Sequence, residues 1–168
     1  VLNRRLRMDA AVYLTEVRDQ QVSRMADNGL GRITVNAGRS RAIGCEFSAE
    51  GQISEALSAH TAYGFTHSTF RTYSPKEGLT YRGNYVPFVP IHTFNVGARY
   101  NWNLDGWLQH IILQADWNGR GKTYWSEDNQ ASENFYGTLD ARLSLSHGQV
   151  EMGLWGKNLT NHDYRAFY

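Results

Sequence analysis

The stretch from residue 93 to residue 102 reads TFNVGARYNW and decides the fold class of this chain. Every even-numbered position from 94 to 102 is apolar or aromatic, and every odd-numbered position from 93 to 101 is polar, charged or glycine. Successive side chains of a β-strand point to opposite faces, so the pattern predicts a strand with one apolar face and one polar face.

The same alternation recurs along most of the chain. It is found in the segments 6–15, 43–49, 57–66, 107–120, 135–146 and 150–154. With the stretch at 93–102, these segments predict an all-β protein, an antiparallel meander of about seven strands.

The connections between these segments alternate between long and short. Long connections are predicted near 26–31, 74–90 and 126–132, and short ones near 50–52, 103–106 and 147–148. In an up-and-down meander, all long connections then lie at one edge of the sheet. Outer-membrane barrels have short periplasmic turns and long extracellular loops, so the rhythm favours a fragment of a large transmembrane β-barrel.

The composition agrees with a sheet that is wet on one face. Only 41% of the 168 residues are hydrophobic, yet 13% are aromatic, and the mean hydropathy is −0.54. No apolar run approaches the roughly 20 residues that a transmembrane helix needs. A net charge of +1 gives no reason to expect a nucleic-acid partner.

The residues that carry chemistry show no catalytic or metal-binding arrangement. The single cysteine, Cys45, cannot form an internal disulfide or a cysteine-based metal cage. The six histidines lack metal-ligand spacing, and no set of serine, histidine and acid stands out. We therefore expect no enzyme activity, no cofactor and no metal.

Charged residues on the predicted polar face are candidates for a wet lumen. They are of both signs and suit cross-strand charge pairs. The predicted lumen-facing set is Glu46, Asp116, Arg120, Asp140 and Arg142.

Aromatic residues near the two ends of the strands predict membrane-interface girdles. Those that bracket the short turn at 103–106 are Tyr100, Trp102 and Trp107, and they define the periplasmic rim. Those nearer the opposite end, which are candidates for an outer girdle, are Trp117, Tyr124 and Trp125.

The loop at 74–90 is the best candidate for contact with an extracellular ligand. It combines flat aromatic surfaces with a guanidinium group that can bind carboxylate or catecholate-type oxygens. The candidate residues are Tyr81, Arg82, Asn84, Tyr85 and Phe88.

Three segments together resemble one family. They read NAGRSRAIGCEF at 36–47, YVPFVPIHTFNVGARYNW at 85–102 and GKNLTNHDYRAFY at 156–168. In this order they resemble the C-terminal part of the barrel of TonB-dependent outer-membrane receptors. The resemblance implies that residues 1–168 are one barrel fragment from which the plug, the earlier strands and the closing strand are absent.

The resemblance also implies a function and a set of partners. The parent protein would import a scarce nutrient across the bacterial outer membrane, most simply an iron-siderophore complex, with energy from TonB. Its partners would be membrane lipid, its own plug and remaining strands, the TonB complex through the absent N-terminal region, and a metal chelate or other small nutrient.

Two alternatives remain open from the sequence. The first is a passive porin-like or structural outer-membrane barrel, which shares the strand pattern but lacks a plug. The second is a soluble β-sandwich binding module, whose apolar faces would pack against each other instead of against lipid.

Overall fold

The computed structural model describes residues 5–26 and 28–165, and within them it contains eleven β-strands. In chain order they are β1 (Leu6–Arg18), β2 (Gln21–Met25), β3 (Arg32–Asn36), β4 (Arg39–Gln52), β5 (Leu57–Thr72), β6 (His92–Asn103), β7 (His110–Arg120), β8 (Thr123–Tyr124), β9 (Ser132–Glu133), β10 (Tyr136–His147) and β11 (Val150–Gly156). The described part of the chain contains no helix that could cross a membrane.

Seven strands form one antiparallel sheet in the order β1-β4-β5-β6-β7-β10-β11. Each strand pairs with the next long strand along the chain, so the predicted meander of about seven strands is confirmed. The sheet is open in the described residues, because β1 and β11 are its two edges and each pairs with one neighbour only.

The cross-strand registers place apolar residues opposite apolar residues and polar residues opposite polar ones. Val96 on β6 lies opposite Trp117 on β7, and Trp117 lies opposite Leu139 on β10. On the other face, Asn95 lies opposite Asn118 and donates a hydrogen bond to it at 2.9 Å. A shift of one residue would exchange the two faces, so the alternation and the register support each other.

The apolar face is not covered by a second sheet. Val96 on β6 is 50% exposed and Leu113 on β7 is 42% exposed, although both strands are paired on both sides. On β1 the outward apolar run from Leu6 to Leu14 spans about 27 Å along the strand. With a strand tilt of about 40°, this run covers about 21 Å along the membrane normal, which is most of the apolar band of an outer-membrane barrel, about 25 Å tall.

Two small hairpins lie at the long-loop edge of the sheet, where the sequence predicts plain loops. β2 pairs with β3 between the long strands β1 and β4, and β8 pairs with β9 between β7 and β10. β5 also continues to Thr72, well beyond its predicted end near residue 66. The opposite edge has the short connections 53–56, 104–109 and 148–149.

Candidate functional site

The long connections form a packed cluster above the sheet, with its own small core. We call it the loop platform and define it by Val22, Ala37, Phe70, Tyr73 and Val86. These residues come from β2, the connection between β3 and β4, the end of β5 and the 73–91 loop. Phe70 is 0% exposed, and its ring centroid lies 4.9 Å from that of Tyr73.

Hydrogen bonds fasten the 121–135 connection to the 73–91 loop. The Asn129 side chain accepts from the backbone N–H of Tyr85 at 2.7 Å and donates to its carbonyl at 3.0 Å. The Asn84 amide donates to the carbonyl of Glu127 at 2.9 Å. The amide of Asn129 thus satisfies the backbone of a loop more than 40 residues away in sequence, which fixes the two loops relative to each other.

Aromatic contacts strengthen the same junction. The rings of Tyr85 and Tyr124 stack at 5.1 Å with an interplanar angle of 16°. Phe88 and Trp125 pack at 5.6 Å, and Lys122 lies over the Tyr124 ring at 4.9 Å. Such pairs contribute about 0.5–1.5 kcal/mol each beyond the area that they bury.

The five predicted ligand residues divide into two groups. Tyr81, Asn84 and Tyr85 are half-buried and engaged in contacts within the loops. Arg82 and Phe88 are exposed. The structure therefore brings all five to one loop surface but directs only part of the set towards solvent.

Arg82 borders a cleft of about 460 Å³ between the base of the β2–β3 hairpin and the 73–91 loop. Its lining also includes a second arginine, Arg71. The neighbouring hydroxyls of Tyr73, Ser74 and Thr80 hydrogen-bond to other loop atoms. The two guanidinium groups therefore make the cleft suitable for an anionic or oxygen-rich ligand. Arg71 is not among the ligand residues predicted from the sequence, because it lies on β5, before the predicted start of the loop at residue 74.

Tyr73 links the platform to the 121–135 connection, and its environment changes its acidity. Burial, assisted by the nearby Glu127 carboxylate, raises the pKa of the Tyr73 phenol to about 12. The unfolded pKa is about 10. Between pH 10 and pH 12, the Tyr73 phenol stays protonated in the native loops but would lose its proton if the loops opened. The free energy of loop opening therefore decreases as the pH rises from 10 to 12.

We expect the ultraviolet phenolate titration of the folded protein to contain a late component near pH 12 that is missing in Tyr73→Phe. Glu127→Gln should move that component towards lower pH, because it removes a neighbouring negative charge. Identical titration curves for the parent and Tyr73→Phe would contradict this assignment.

The predicted lumen residues all lie on the polar face but do not pair with one another. Asp116 instead contacts His60 at 3.0 Å, across Gly97 on the intervening strand. Arg142 pairs with Glu151 at 3.5 Å, and Asp140 accepts from the backbone N–H of Asn158 at 2.8 Å. The register places Asp116 directly opposite Asp140, so these two carboxylates face each other and find partners elsewhere.

The other two predicted lumen residues border a larger concavity. Glu46 and Arg120 are part of the lining of a space of about 800 Å³ on this side of the sheet, together with Asn95 and Asn118. At its margin the rings of Tyr136 and Tyr164 stack at 4.5 Å. Apolar side chains, among them Phe47 and Phe94, also border this space, so its wall is mixed in polarity.

The three predicted interface aromatics lie at the short-turn edge. Tyr100 and Trp102 share the apolar face of β6, with ring centroids 4.4 Å apart. Trp107 is 76% exposed and stacks on His147 of the adjacent turn at 4.6 Å. Trp125, a candidate for the outer girdle, is only 7% exposed. That prediction is wrong, because loop packing encloses the indole ring.

The described residues contain no group of three histidine, cysteine, aspartate or glutamate side chains placed to hold a metal ion. Two concave surfaces could contact a ligand. One is the concavity of about 800 Å³ on the polar side of the sheet, and the other is the cleft beside Arg71 and Arg82.

Comparison with known proteins gives consistent matches. The family model for the TonB dependent receptor-like β-barrel matches residues 1–159. The pesticin receptor of Yersinia enterocolitica is 26% identical over 162 residues, which cover 95% of this chain and 23% of that protein. The pesticin receptor of Yersinia pestis is also 26% identical, over 163 residues.

Solved structures agree at the level of the fold. The ferric yersiniabactin uptake receptor FyuA from Yersinia pestis superposes with a TM-score of 0.79 at 23% identity, over 98% of this chain and 24% of that one. The siderophore receptor PiuA from Acinetobacter baumannii gives a TM-score of 0.73 at 22% identity, over 96% and 23% of the two chains. The chain spans about a quarter of the length of the proteins that it matches.

Proposed function

Since this chain belongs to the TonB-dependent receptor-like β-barrel family, whose members lie in the bacterial outer membrane, we propose that it forms part of the wall and extracellular loops of an active nutrient importer. The observation that carries the proposal is the division of one seven-stranded sheet into an exposed apolar face and a polar face, with packed loops at one edge. A lipid-facing wall with a wet interior has this construction.

We propose a ferric siderophore as the transported ligand. Two proteins with the same fold are described as a ferric yersiniabactin uptake receptor and a siderophore receptor. The loop platform supports this choice, since its cleft offers the guanidinium groups of Arg71 and Arg82. Siderophores bind iron through oxygen-rich groups, and cationic forks recognise such groups by charge-assisted hydrogen bonds.

The barrel wall has a passive but necessary part in this proposal. Its polar face, with Asp116 held by His60 and Arg120 beside the hollow, would border the plug and the path of the ligand. The paired strands satisfy the backbone groups that lipid cannot. Energy would reach the plug through TonB, and the wall residues perform no bond chemistry.

The cleft can be tested with the Arg82→Gln substitution in the complete receptor that carries these residues. We expect affinity for ferric yersiniabactin or a ferric catecholate to fall about ten- to hundredfold, because one charged hydrogen bond contributes about 1.5–3 kcal/mol. The measurement is quenching of intrinsic fluorescence during titration with each chelate.

Lys76→Gln is the matched control. It removes one positive charge from an exposed position on the same loop but does not border the cleft. Its affinity should stay within about twofold of the parent, since an isolated exposed charge contributes little. Equal losses in both variants, or no loss in Arg82→Gln, would remove the cleft from the ligand site. Uptake that persists in cells without TonB would instead favour the passive-channel alternative.

A further inference from the structure

The outward face of the sheet changes from apolar to charged residues just beyond its apolar band, on the long-loop side. On β1 and β4 the last paired apolar residues are Leu14 and Ile43. The next outward pair is Glu16 with Arg41, and the one after that is Arg18 with Arg39. These pairs lie about 7 Å and 13 Å past the end of the apolar band, measured along the strands.

Three arginines of these two pairs, Arg18, Arg39 and Arg41, define what we call the arginine cluster. The register from β1 to β4 is continuous to its end, so all three share the outward face with Leu14 and Ile43. Arg18 and Arg39 are exposed, and the Arg41 guanidinium donates to Glu16 from its Nε at 2.9 Å.

The local charge balance is positive although the whole chain is nearly neutral. Among the described residues, the acidic groups beside these three arginines are Glu16 and Asp19, and Asp19 already accepts from the Asn36 amide at 3.5 Å. Arg18 and Arg39 also lie directly opposite each other across the strand pair. Like charges in that position are destabilising unless an anion lies between them.

The position of the arginine cluster indicates which kind of anion it binds. The arginines continue the lipid-facing surface outward, at the level where the hydrocarbon ends and the headgroups begin. A soluble anion would be better held in a closed cleft, whereas this surface is open towards the membrane. Guanidinium groups bind phosphate oxygens in a bidentate manner.

We propose that the arginine cluster binds the phosphorylated headgroup of an outer-leaflet lipid and so fixes the height of the barrel in the membrane. The proposal concerns the outside of the wall and is independent of the ligand that is transported. Each basic residue near an anionic lipid surface contributes about 1 kcal/mol, or about fivefold in affinity. Three arginines together should contribute on the order of 100-fold.

The test uses the complete receptor in an uncharged detergent, titrated with bisphosphorylated lipid A and with the same lipid after removal of its phosphates. The parent should bind the phosphorylated lipid much more tightly than the dephosphorylated one. The triple variant Arg18→Gln, Arg39→Gln, Arg41→Gln should lose on the order of 100-fold in affinity for the phosphorylated lipid. Native mass spectrometry of the folded protein gives the bound fraction directly.

A matched control carries Arg7→Gln, Arg99→Gln and Arg142→Gln, which remove the same charge from the polar face and should change affinity less than about threefold. Glu16→Gln should strengthen binding about fivefold, because it removes the competing carboxylate from Arg41. Misfolding cannot produce this opposite sign.

Three results would overturn the proposal. The first is an equal loss in the two triple variants, and the second is equal affinity for the lipid with and without phosphates. The third is displacement of the lipid by millimolar inorganic phosphate, which would assign the arginines to a soluble anion instead.

Discussion

The Gly44→Val substitution is expected to prevent the barrel wall from forming. A Cβ atom at position 44 would lie 2.3 Å from the Tyr13 hydroxyl and 2.4 Å from the carbonyl oxygen of Phe65. The first contact is with a side chain that crosses from β1 to hydrogen-bond Thr66 on β5. The second is with backbone, which cannot move without breaking the pairing of β4 with β5. The cost therefore exceeds the roughly 1–3 kcal/mol of ordinary overpacking.

The measurement is the fraction of folded receptor, read from the faster migration of unheated barrels in detergent electrophoresis. Gly106→Val is the control, since a Cβ atom there meets nothing within 4 Å. Adding Tyr13→Ala to Gly44→Val should restore only part of the folded fraction, because the Phe65 carbonyl still clashes. A folded fraction for Gly44→Val equal to that of Gly106→Val would show that the close approach at Gly44 is not a requirement of the fold.

The Phe70→Ala substitution should release the loop platform while leaving the wall intact. Phe70 is fully buried among residues of two loops, and replacing a buried phenylalanine with alanine costs about 3–5 kcal/mol. A small platform has no large reserve of stability, so local opening should become at least about 100-fold more frequent. Affinity for a ferric siderophore should fall with it, because the Arg82 cleft depends on the same packing.

Limited chymotrypsin digestion of the complete receptor measures this opening. We expect rapid cleavage within 73–91 in Phe70→Ala, with an unchanged folded band in detergent electrophoresis. Phe135→Ala is the matched control, because its ring stacks on Phe94 at 5.4 Å but remains 50% exposed. Similar cleavage rates in the two variants would mean that Phe70 does not hold the loops together.

The strands and their two faces could be predicted from the residues alone. A period of two is a local property, so the stretch at 93–102 specifies which side chains share a face without reference to any other segment. The alternation of long and short connections then orients the sheet. Both predictions hold, since the main sheet is a meander with all its long connections at one edge.

The packing of the loops could not be predicted in the same way. Asn84 and Tyr85 have the residue types of a ligand site, but their partners Glu127, Tyr124 and Asn129 lie about 40 residues further along the chain. No local period indicates which loop will cover which. The same reason explains Trp125, an aromatic residue near a strand end that looks ready for lipid and is enclosed by packing.

Side-chain contacts on the polar face also show what local alternation can predict and what only strand pairing decides. The sequence places Asp116 on the polar face, but its contact with His60 requires the combined registers of β5, β6 and β7 and a glycine between them. Likewise, local alternation places Arg39 and Arg41 on one face of β4, but only the pairing of β1 with β4 brings Arg18 beside them.

What the sequence by itself determined is the direction of each side chain relative to its own strand, because backbone geometry imposes that alternation residue by residue. The tertiary structure alone decided which strands and loops became neighbours, since those contacts depend on registers and on packing between distant segments. The apolar and polar walls therefore follow from local chemistry, whereas the ligand cleft and the arginine cluster exist only in the assembled sheet.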